Sequence, residues 1–216
     1  FVDNDNFYYF GISNLNTFSF WRVVEGQWTK LQDWTYNEAI LSGENATNRL
    51  GVLARGDTFL LYANDTPLGE VTDSAHPAGS VGFYAGTYET PGLDVTFDNL
   101  DVWVLSTGEI PTADTSALDE AQARIEAVRA DTPAYSADYR TDDGEWTVSD
   151  DPDLPIKVER SALQMGINKA QWLAWADRQA NYGDFLVAVD AQQLSSDVPT
   201  EVGVVFRVQD EANFYF

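Results

Sequence analysis

The two ends of this 216-residue chain carry versions of the same nine-residue segment. Residues 1–9 read FVDNDNFYY and residues 208–216 read VQDEANFYF. Four positions are identical in the two copies: Asp3 and Asp210, Asn6 and Asn213, Phe7 and Phe214, Tyr8 and Tyr215. Self-similarity of this kind indicates a repeat architecture. The sequence therefore predicts a tandemly repeated protein in which the chain begins and ends inside the same strand of successive repeats.

The first block, residues 1–105, consists of β-forming runs separated by turns. Its clearest hairpin starts with Leu50, Val52 and Ala54, which alternate on one face of a strand. Residues 55–57 then read Arg-Gly-Asp, a turn signal that leads into a second alternating run. This pattern predicts antiparallel strands with one buried face.

The linker, residues 106–133, contains the one convincing helix of the chain, at 116–130. Ser116 and Asp119 resemble the start of a capping box. The helix has one narrow apolar stripe, formed by Leu118, Ala121, Ile125 and Val128. Such a thin stripe favours a spacer helix that lies against a sandwich. The second block, residues 134–216, is rich in β-forming runs again.

The motifs GVVFRVQDEANFYF, FSFWRVVEGQW, GSVGFYAGTY and VTFDNLDVW together resemble a concanavalin A-like jelly roll. The nearest relatives by this resemblance are laminin G-like and 3-keto-disaccharide hydrolase-like modules of secreted bacterial proteins. The resemblance implies an all-β jelly-roll sandwich with one short linker helix. It also implies that residues 134–216 are the first half of a module and residues 1–105 the second half.

Neither half can cover both faces of its sheet alone, and each would leave strand edges unpaired. We therefore expect the halves to pair, either within one chain as in a circular permutant or between neighbouring chains or repeats. In particular, the strand at 204–215 is expected beside the sheet built by residues 1–105.

Composition excludes several classes of function. The net charge is −23, from 12 basic and 35 acidic residues, and no basic stripe is present, which excludes nucleic-acid binding. No apolar run is long enough to span a membrane. There is no cysteine and only one histidine, His76, which is expected at a loop tip. Disulfides, cysteine-ligated zinc and multi-histidine metal sites are therefore excluded. The uniform acidity indicates solubility, and the resemblance implies an extracellular or cell-surface protein.

The carboxylates do not form a catalytic pattern. Related sandwich glucanases use alternating acids on one strand, and glycoside hydrolysis needs a pair. The nearest set here is Asp94, Asp98 and Asp101, in which a regular strand places Asp101 on the opposite face from the other two. Asp98 and Asn99 are better explained as a bulge or turn. We therefore expect no enzyme activity, with a 3-keto-glycoside hydrolase-like enzyme as the less favoured alternative.

Sugar binding requires exposed aromatic rings beside polar groups that form hydrogen bonds. The candidate ligand-binding residues are Trp21, Arg22, Trp34, Arg49, Tyr62, Tyr84 and Arg207. The alternative for the aromatic residues is core packing. The three arginines are expected to form a substrate-facing cluster or, alternatively, to neutralise the acidic surface.

Calcium is the cofactor that this sequence favours, because hard oxygen ligands suit it. The candidate metal ligands are Asp3, Asp5 and Asp210. In a chain this acidic, solvated turns are the alternative explanation.

Two functions remain open at this point. The first is a non-catalytic extracellular β-sandwich repeat of a surface fibre or stalk, assembled by complementation between half-modules. Its partners are copies of itself or adjacent repeats. The second is a carbohydrate-binding module whose partner is a polysaccharide.

Overall fold

A computed structural model describes residues 5–105, 117–194 and 199–209. In this part of the chain, fourteen strands and one helix follow one another: β1 (Phe7–Ser13), β2 (Thr17–Val24), β3 (Gln27–Tyr36), β4 (Thr47–Arg55), β5 (Thr58–Ala63), β6 (Thr66–Thr72), β7 (Gly79–Thr87), β8 (Leu93–Val104), α1 (Ala117–Arg129), β9 (Tyr135–Ala137), β10 (Ile156–Glu159), β11 (Ala162–Ile167), β12 (Leu173–Tyr182), β13 (Phe185–Gln193) and β14 (Thr200–Val208).

The strands form two antiparallel sheets that pack as a sandwich, so the prediction of an all-β sandwich with one short helix is confirmed. The six-stranded sheet has the order β12-β7-β14-β1-β2-β3. The eight-stranded sheet has the order β10-β11-β8-β13-β4-β5-β6, and β9 pairs with β8. All the pairings are antiparallel, which suits a fold with short loops between neighbouring strands.

Strands from the two blocks interleave within a single chain. β14 lies between β7 and β1, and β13 lies between β8 and β4. Val204 pairs with Phe10 on one side and with Phe83 on the other. The expectation that this strand joins the sheet of the first block is therefore confirmed for residues 204–208. Residues 210–215 lie outside the described part, and the assignment of the blocks to successive repeats remains a prediction.

The core between the sheets follows from the alternation of apolar residues. The hairpin residues Leu50, Val52 and Ala54 all point inward and are completely buried. They meet large aromatic side chains from the six-stranded sheet, including Phe20 and Phe83. Burial of one such side chain contributes about 1.5–3 kcal/mol. The inward-facing residues of both sheets thus form one continuous core.

The helix α1 covers part of the outer face of the eight-stranded sheet. Ala121, Ile125 and Val128 pack against Tyr62 and Trp103 of that sheet. The predicted helix at 116–130 and its stripe are confirmed in position, except that the side chain of Leu118 lies outside the described atoms. No helix in the described ranges is long and apolar enough to cross a membrane.

One strand departs from the expected alternation. Asn99 has a positive φ of 50°, and the β8–β13 register shifts between the pairs that flank it. The predicted interruption is therefore a bulge. The extra residue returns Asp101 to the outer face, where it joins Asp98 instead of opposing it. The expected placement of Asp101 on the opposite face is wrong, because it assumed an unbroken period of two.

A candidate ligand site on the six-stranded sheet

The three candidate arginines do not form one cluster. Arg207 is completely buried at one end of the sandwich. Its guanidinium donates to the main-chain oxygens of Gly56, His76 and Gly183 at 2.8, 3.0 and 3.1 Å. It also lies 4.9 Å from the ring centroid of Phe59. Arg207 was expected to face a ligand; instead, it ties two turns and a loop together and closes the core.

Arg22 belongs to the polar network at the same end. It pairs with Asp73 at 2.7 Å, and the Tyr8 hydroxyl donates to the same carboxylate at 2.6 Å. His76, which was expected at a loop tip, is buried, and its Nε2 lies 2.7 Å from the main-chain oxygen of Val23. That oxygen can only accept, so Nε2 carries the proton. Burial lowers the pKa of His76 below its ordinary value. This network is structural as well.

Arg49 and Tyr62 lie on the outer side of the eight-stranded sheet. Arg49 bonds to Asp101 at 2.9 Å and to Asp190 at 3.0 Å. Tyr62 is fully buried under α1, and its hydroxyl donates to the main-chain oxygen of Val187 at 3.1 Å. Both polar groups are therefore satisfied by the protein itself.

Two further predictions concern the rim of the sandwich. Trp34 lies half-buried on β3, an edge strand, away from the other candidates. Of the three predicted calcium ligands, only Asp5 lies in the described part, and its main-chain oxygen accepts from the Gly26 N–H at 3.0 Å. Within the described ranges, no three His, Cys, Asp or Glu side chains are close enough to hold a metal ion. Calcium therefore stays a prediction.

The outer face of the six-stranded sheet brings the remaining candidates, Trp21 and Tyr84, onto one surface. This face is concave. Phe7 and Trp175 are three strand positions apart, which is about 14 Å in a flat sheet. Their ring centroids are only 5.3 Å apart, so the sheet curls toward its outer side. Trp28 continues the aromatic row at 5.4 Å from Phe7 and is 44% exposed.

A carboxylate lies among tyrosines on this concave face. Glu201, at the start of β14, is partly exposed. The Tyr84 hydroxyl donates to its Oε1 at 3.0 Å, and the Tyr88 hydroxyl donates to its Oε2 at 3.1 Å. Tyr88 is 40% exposed, so this end of the face is open to solvent. We call Glu201, Tyr9, Tyr84 and Tyr88 the tyrosine–glutamate cluster.

Tyr9 completes the tyrosine–glutamate cluster with a hydroxyl that has no partner. Its ring lies 4.1 Å from that of Tyr84, and only 1% of its surface is exposed. Its hydroxyl faces Glu201 but makes no hydrogen bond of standard geometry with any protein atom. Buried hydroxyl groups normally find a partner. The Tyr9 hydroxyl is therefore an exception, a buried polar group next to a partly exposed carboxylate.

Glycines in the neighbouring strands make room for these side chains. A Cβ on Gly11 would lie 1.9 Å from the Tyr9 hydroxyl oxygen. A Cβ on Gly86 would lie 2.9 Å from Oε1 of Glu201. Gly11 pairs with Gly203 across the sheet, and Glu201 pairs with Gly86. Gly11 and Gly86 therefore leave room for the Tyr9 ring and for the Glu201 carboxylate.

The electrostatics of the tyrosine–glutamate cluster follow from burial. Burial raises the pKa of the Glu201 carboxyl above its ordinary value, and hydrogen bonds from the tyrosine hydroxyls offset part of this shift. Burial, and then the nearby Glu201 charge, raise the pKa of Tyr9 and Tyr84 well above the ordinary tyrosine value. The hydroxyls therefore remain protonated donors at neutral pH, and the carboxylate is an acceptor in a poorly solvated place.

Sequence reasoning found Tyr84 but missed Glu201, Tyr9 and Tyr88. Glu201 opens a strand, where a solvated carboxylate is ordinary. The available signal was the set of glycines inside strand runs, in YYFG, EVGVV and VGFYAG. Glycine within a strand often marks a close approach by another group.

Comparison with protein-family models gave no match to this sequence. Comparison with curated proteins gave no significant match either.

Proposed function

We propose that this protein is a non-catalytic extracellular carbohydrate-binding module that holds saccharides on the concave face of its six-stranded sheet. The observation that carries the proposal is the tyrosine–glutamate cluster, with its unpartnered Tyr9 hydroxyl, beside a row of aromatic rings. Saccharide sites combine ring faces for the apolar side of a sugar with a few placed polar groups for its hydroxyls. This face offers both.

The accessible groups of the site are suited to sugar hydroxyls. The Glu201 oxygens each accept one tyrosine hydroxyl and retain acceptor capacity. Trp175, the cross-strand partner of Tyr84, is partly exposed and presents ring surface beside the tyrosine–glutamate cluster. Trp28 is 44% exposed and extends the aromatic surface beyond Phe7. Among the described elements, the helix packs on the other sheet and leaves this face uncovered.

Binding suits the tyrosine–glutamate cluster better than hydrolysis. Glycoside hydrolysis uses two carboxylates about 5–10 Å apart. The groups that perturb Glu201 are tyrosines, and no second carboxylate is among them. The proposal also extends the sequence resemblance: the two-sheet sandwich is shown, and membership of the concanavalin A-like jelly rolls is part of the proposal.

The test is a glycan array probed with the full chain, followed by affinity measurements on the best saccharide. The Trp175→Ala variant should weaken binding by about tenfold, roughly 1.4 kcal/mol, because it removes a ring surface beside the tyrosine–glutamate cluster. Tyr36→Ala is the matched control, since Tyr36 is 68% exposed on the edge strand β3. Melting curves establish that both variants are folded. A chain that binds no saccharide on the array would defeat the proposal.

A second function is favoured by the ends of the chain. We propose that the module also assembles with copies of itself or with adjacent repeats. The Gln209 N–H donates to the main-chain oxygen of Asn6 at 3.0 Å, so the residue that follows β14 adjoins the residue that precedes β1. In the second copy of the repeated segment, Asn213 is the equivalent of Asn6.

The second copy of the segment shares sequence with the start of β1, and in this proposal it takes the place of β1 at a junction. In a row of subunits or repeats, each junction would use one copy, and such head-to-tail contacts propagate. Size-exclusion chromatography with light scattering tests this proposal. Oligomers that disappear when residues 210–216 are deleted would support it, and a monomer at every concentration would contradict it.

A further inference from the structure

The tyrosine–glutamate cluster lacks a positive charge. Burial raises the pKa of Glu201, and only tyrosine hydroxyls act against this effect. Glu201 is also the charged neighbour that raises the pKa of Tyr84 and Tyr88, together with Tyr88 in the case of Tyr84. Among the described residues, no lysine, arginine or histidine contributes at any of these groups.

Two other partly buried carboxylates of the protein each have an arginine partner. Asp73 pairs with Arg22 at 2.7 Å, and Asp190 pairs with Arg49 at 3.0 Å. Removing a carboxylate from water is costly unless a charge or hydrogen bonds compensate for it. Glu201 has hydrogen bonds but no countercharge, although the chain has arginines that serve this purpose elsewhere.

We propose that the countercharge comes from the ligand, and that the tyrosine–glutamate cluster selects saccharides that carry a free, protonated amine. This inference rests on the proposed saccharide-binding function and names its ligand class. Each Glu201 oxygen accepts one tyrosine hydroxyl and can accept a further N–H. The Tyr9 hydroxyl is shielded from solvent and is directed at Glu201, so Glu201 is the group that meets the ammonium.

The aromatic surroundings favour the same ligand. A cation near the faces of tyrosine or tryptophan rings is attracted by their electron density. An acetylated amine has lost the charge and the ion-pair donor. A uronic acid would bring a second negative charge next to Glu201, in a protein whose net charge is already −23. The site should therefore rank amino sugars above acetylated sugars, and acetylated sugars above uronates.

Titration calorimetry with three hexasaccharides tests the ranking on the full chain: oligomers of glucosamine, of N-acetylglucosamine and of galacturonic acid. Physiological salt suppresses the general attraction between a cationic oligomer and an acidic protein. We expect the glucosamine oligomer to bind about tenfold more tightly than the acetylated one, because hydrogen bonds to charged groups are stronger than neutral ones.

One variant and a control assign the preference to the tyrosine–glutamate cluster. Glu201→Gln should abolish the preference, because it removes the negative charge that pairs with the ammonium group. Glu44→Gln makes the same change of net charge on an exposed loop and should leave the preference intact.

The outcomes separate the inference from the function on which it rests. Equal or tighter binding of the acetylated oligomer or the uronate, or a preference that survives Glu201→Gln, overturns the inference and leaves the proposed function standing. A preference reduced equally by Glu44→Gln reports only diffuse charge and also overturns the inference. Failure of all three oligomers, together with a blank glycan array, overturns both.

Discussion

On each outer face of the sandwich a tyrosine ring lies over a glycine, but only one of the two tyrosine hydroxyls has a hydrogen-bond partner. On the eight-stranded sheet, Tyr62 lies over Gly51, where a Cβ would be 1.9 Å from the tyrosine ring. On the six-stranded sheet, Tyr9 lies over Gly11, where a Cβ would be 1.9 Å from the tyrosine hydroxyl oxygen. The Tyr62 hydroxyl bonds to Val187 and is covered by α1, whereas the Tyr9 hydroxyl has no partner.

The same contrast holds for charge. Arg129, in the last turn of α1, places its guanidinium 5.1 Å from the Tyr62 ring centroid and donates to its hydroxyl at 3.3 Å. The cluster around Tyr9 has a carboxylate, Glu201, and no cation. The helix thus completes one face from within the chain, whereas the other face retains a hydroxyl without a hydrogen bond of standard geometry next to a carboxylate on which no cation acts. An unsatisfied outer face is what distinguishes a candidate site from additional core.

The largest expected change in stability is on the outer face of the eight-stranded sheet, which α1 covers. Ile125→Ala removes a completely buried side chain between α1 and the eight-stranded sheet, so we expect a loss of about 2–5 kcal/mol in the free energy of unfolding. Urea unfolding measures it. Leu15→Ala is the control, since Leu15 is 64% exposed and should change stability by less than about 0.5 kcal/mol. A loss below about 1 kcal/mol at Ile125 would mean that the helix does not complete this face.

A smaller change in stability is expected at Gly11, which lies under the Tyr9 ring on the outer face of the six-stranded sheet. Gly11→Ala forces the Tyr9 ring to move and should cost about 1–3 kcal/mol through overpacking. Gly69→Ala is the matched control, because a Cβ at that position meets no atom within 4 Å. Equal stabilities of the two variants would show that the Tyr9 ring does not rest on Gly11. Urea unfolding again provides the values.

The smallest expected change in stability comes from removing one tyrosine hydroxyl on each outer face. Tyr62→Phe loses the bond to Val187, so we expect it to destabilise the protein by about 1 kcal/mol. Tyr9→Phe deletes a hydroxyl that has no partner and should change stability by less than about 0.5 kcal/mol, or increase it. Thermal unfolding of both variants gives the difference. If Tyr9→Phe is the more damaging change, the Tyr9 hydroxyl has a partner and the contrast between the faces disappears.

The sequence predicted more of the fold than of the candidate site. The alternation of Leu50, Val52 and Ala54 is local, and it gave the correct strand and the correct buried face. The bulge at Asn99 was expected, but its effect on Asp101 depended on counting one inserted residue into a strict period of two. Local patterns therefore locate strands better than they assign the faces that follow a bulge.

The site residues depend on contacts between distant parts of the sequence. Arg207 looked like a scarce surface cation, but its positive φ of 52° turns it toward the core. Glu201 looked like a solvated strand end, and its burial depends on Tyr84, which is 117 residues away in the sequence. No local pattern encodes these contacts. Glycines within strands were the one local hint, because they indicate where a large group lies flat on a sheet.

The central claim is that the concave outer face of the six-stranded sheet is the ligand-binding face. The most direct measurement is an NMR titration of the isotope-labelled full chain with the best saccharide from the array. We expect the largest shifts at the amides of Gly11, Tyr84, Tyr88 and Glu201 and at the indole N–H of Trp175. The amide of Tyr62 and the indole of Trp103, under the helix, should remain unchanged. The largest shifts at these two control positions, or saturation with no shift on the concave face, would contradict the claim.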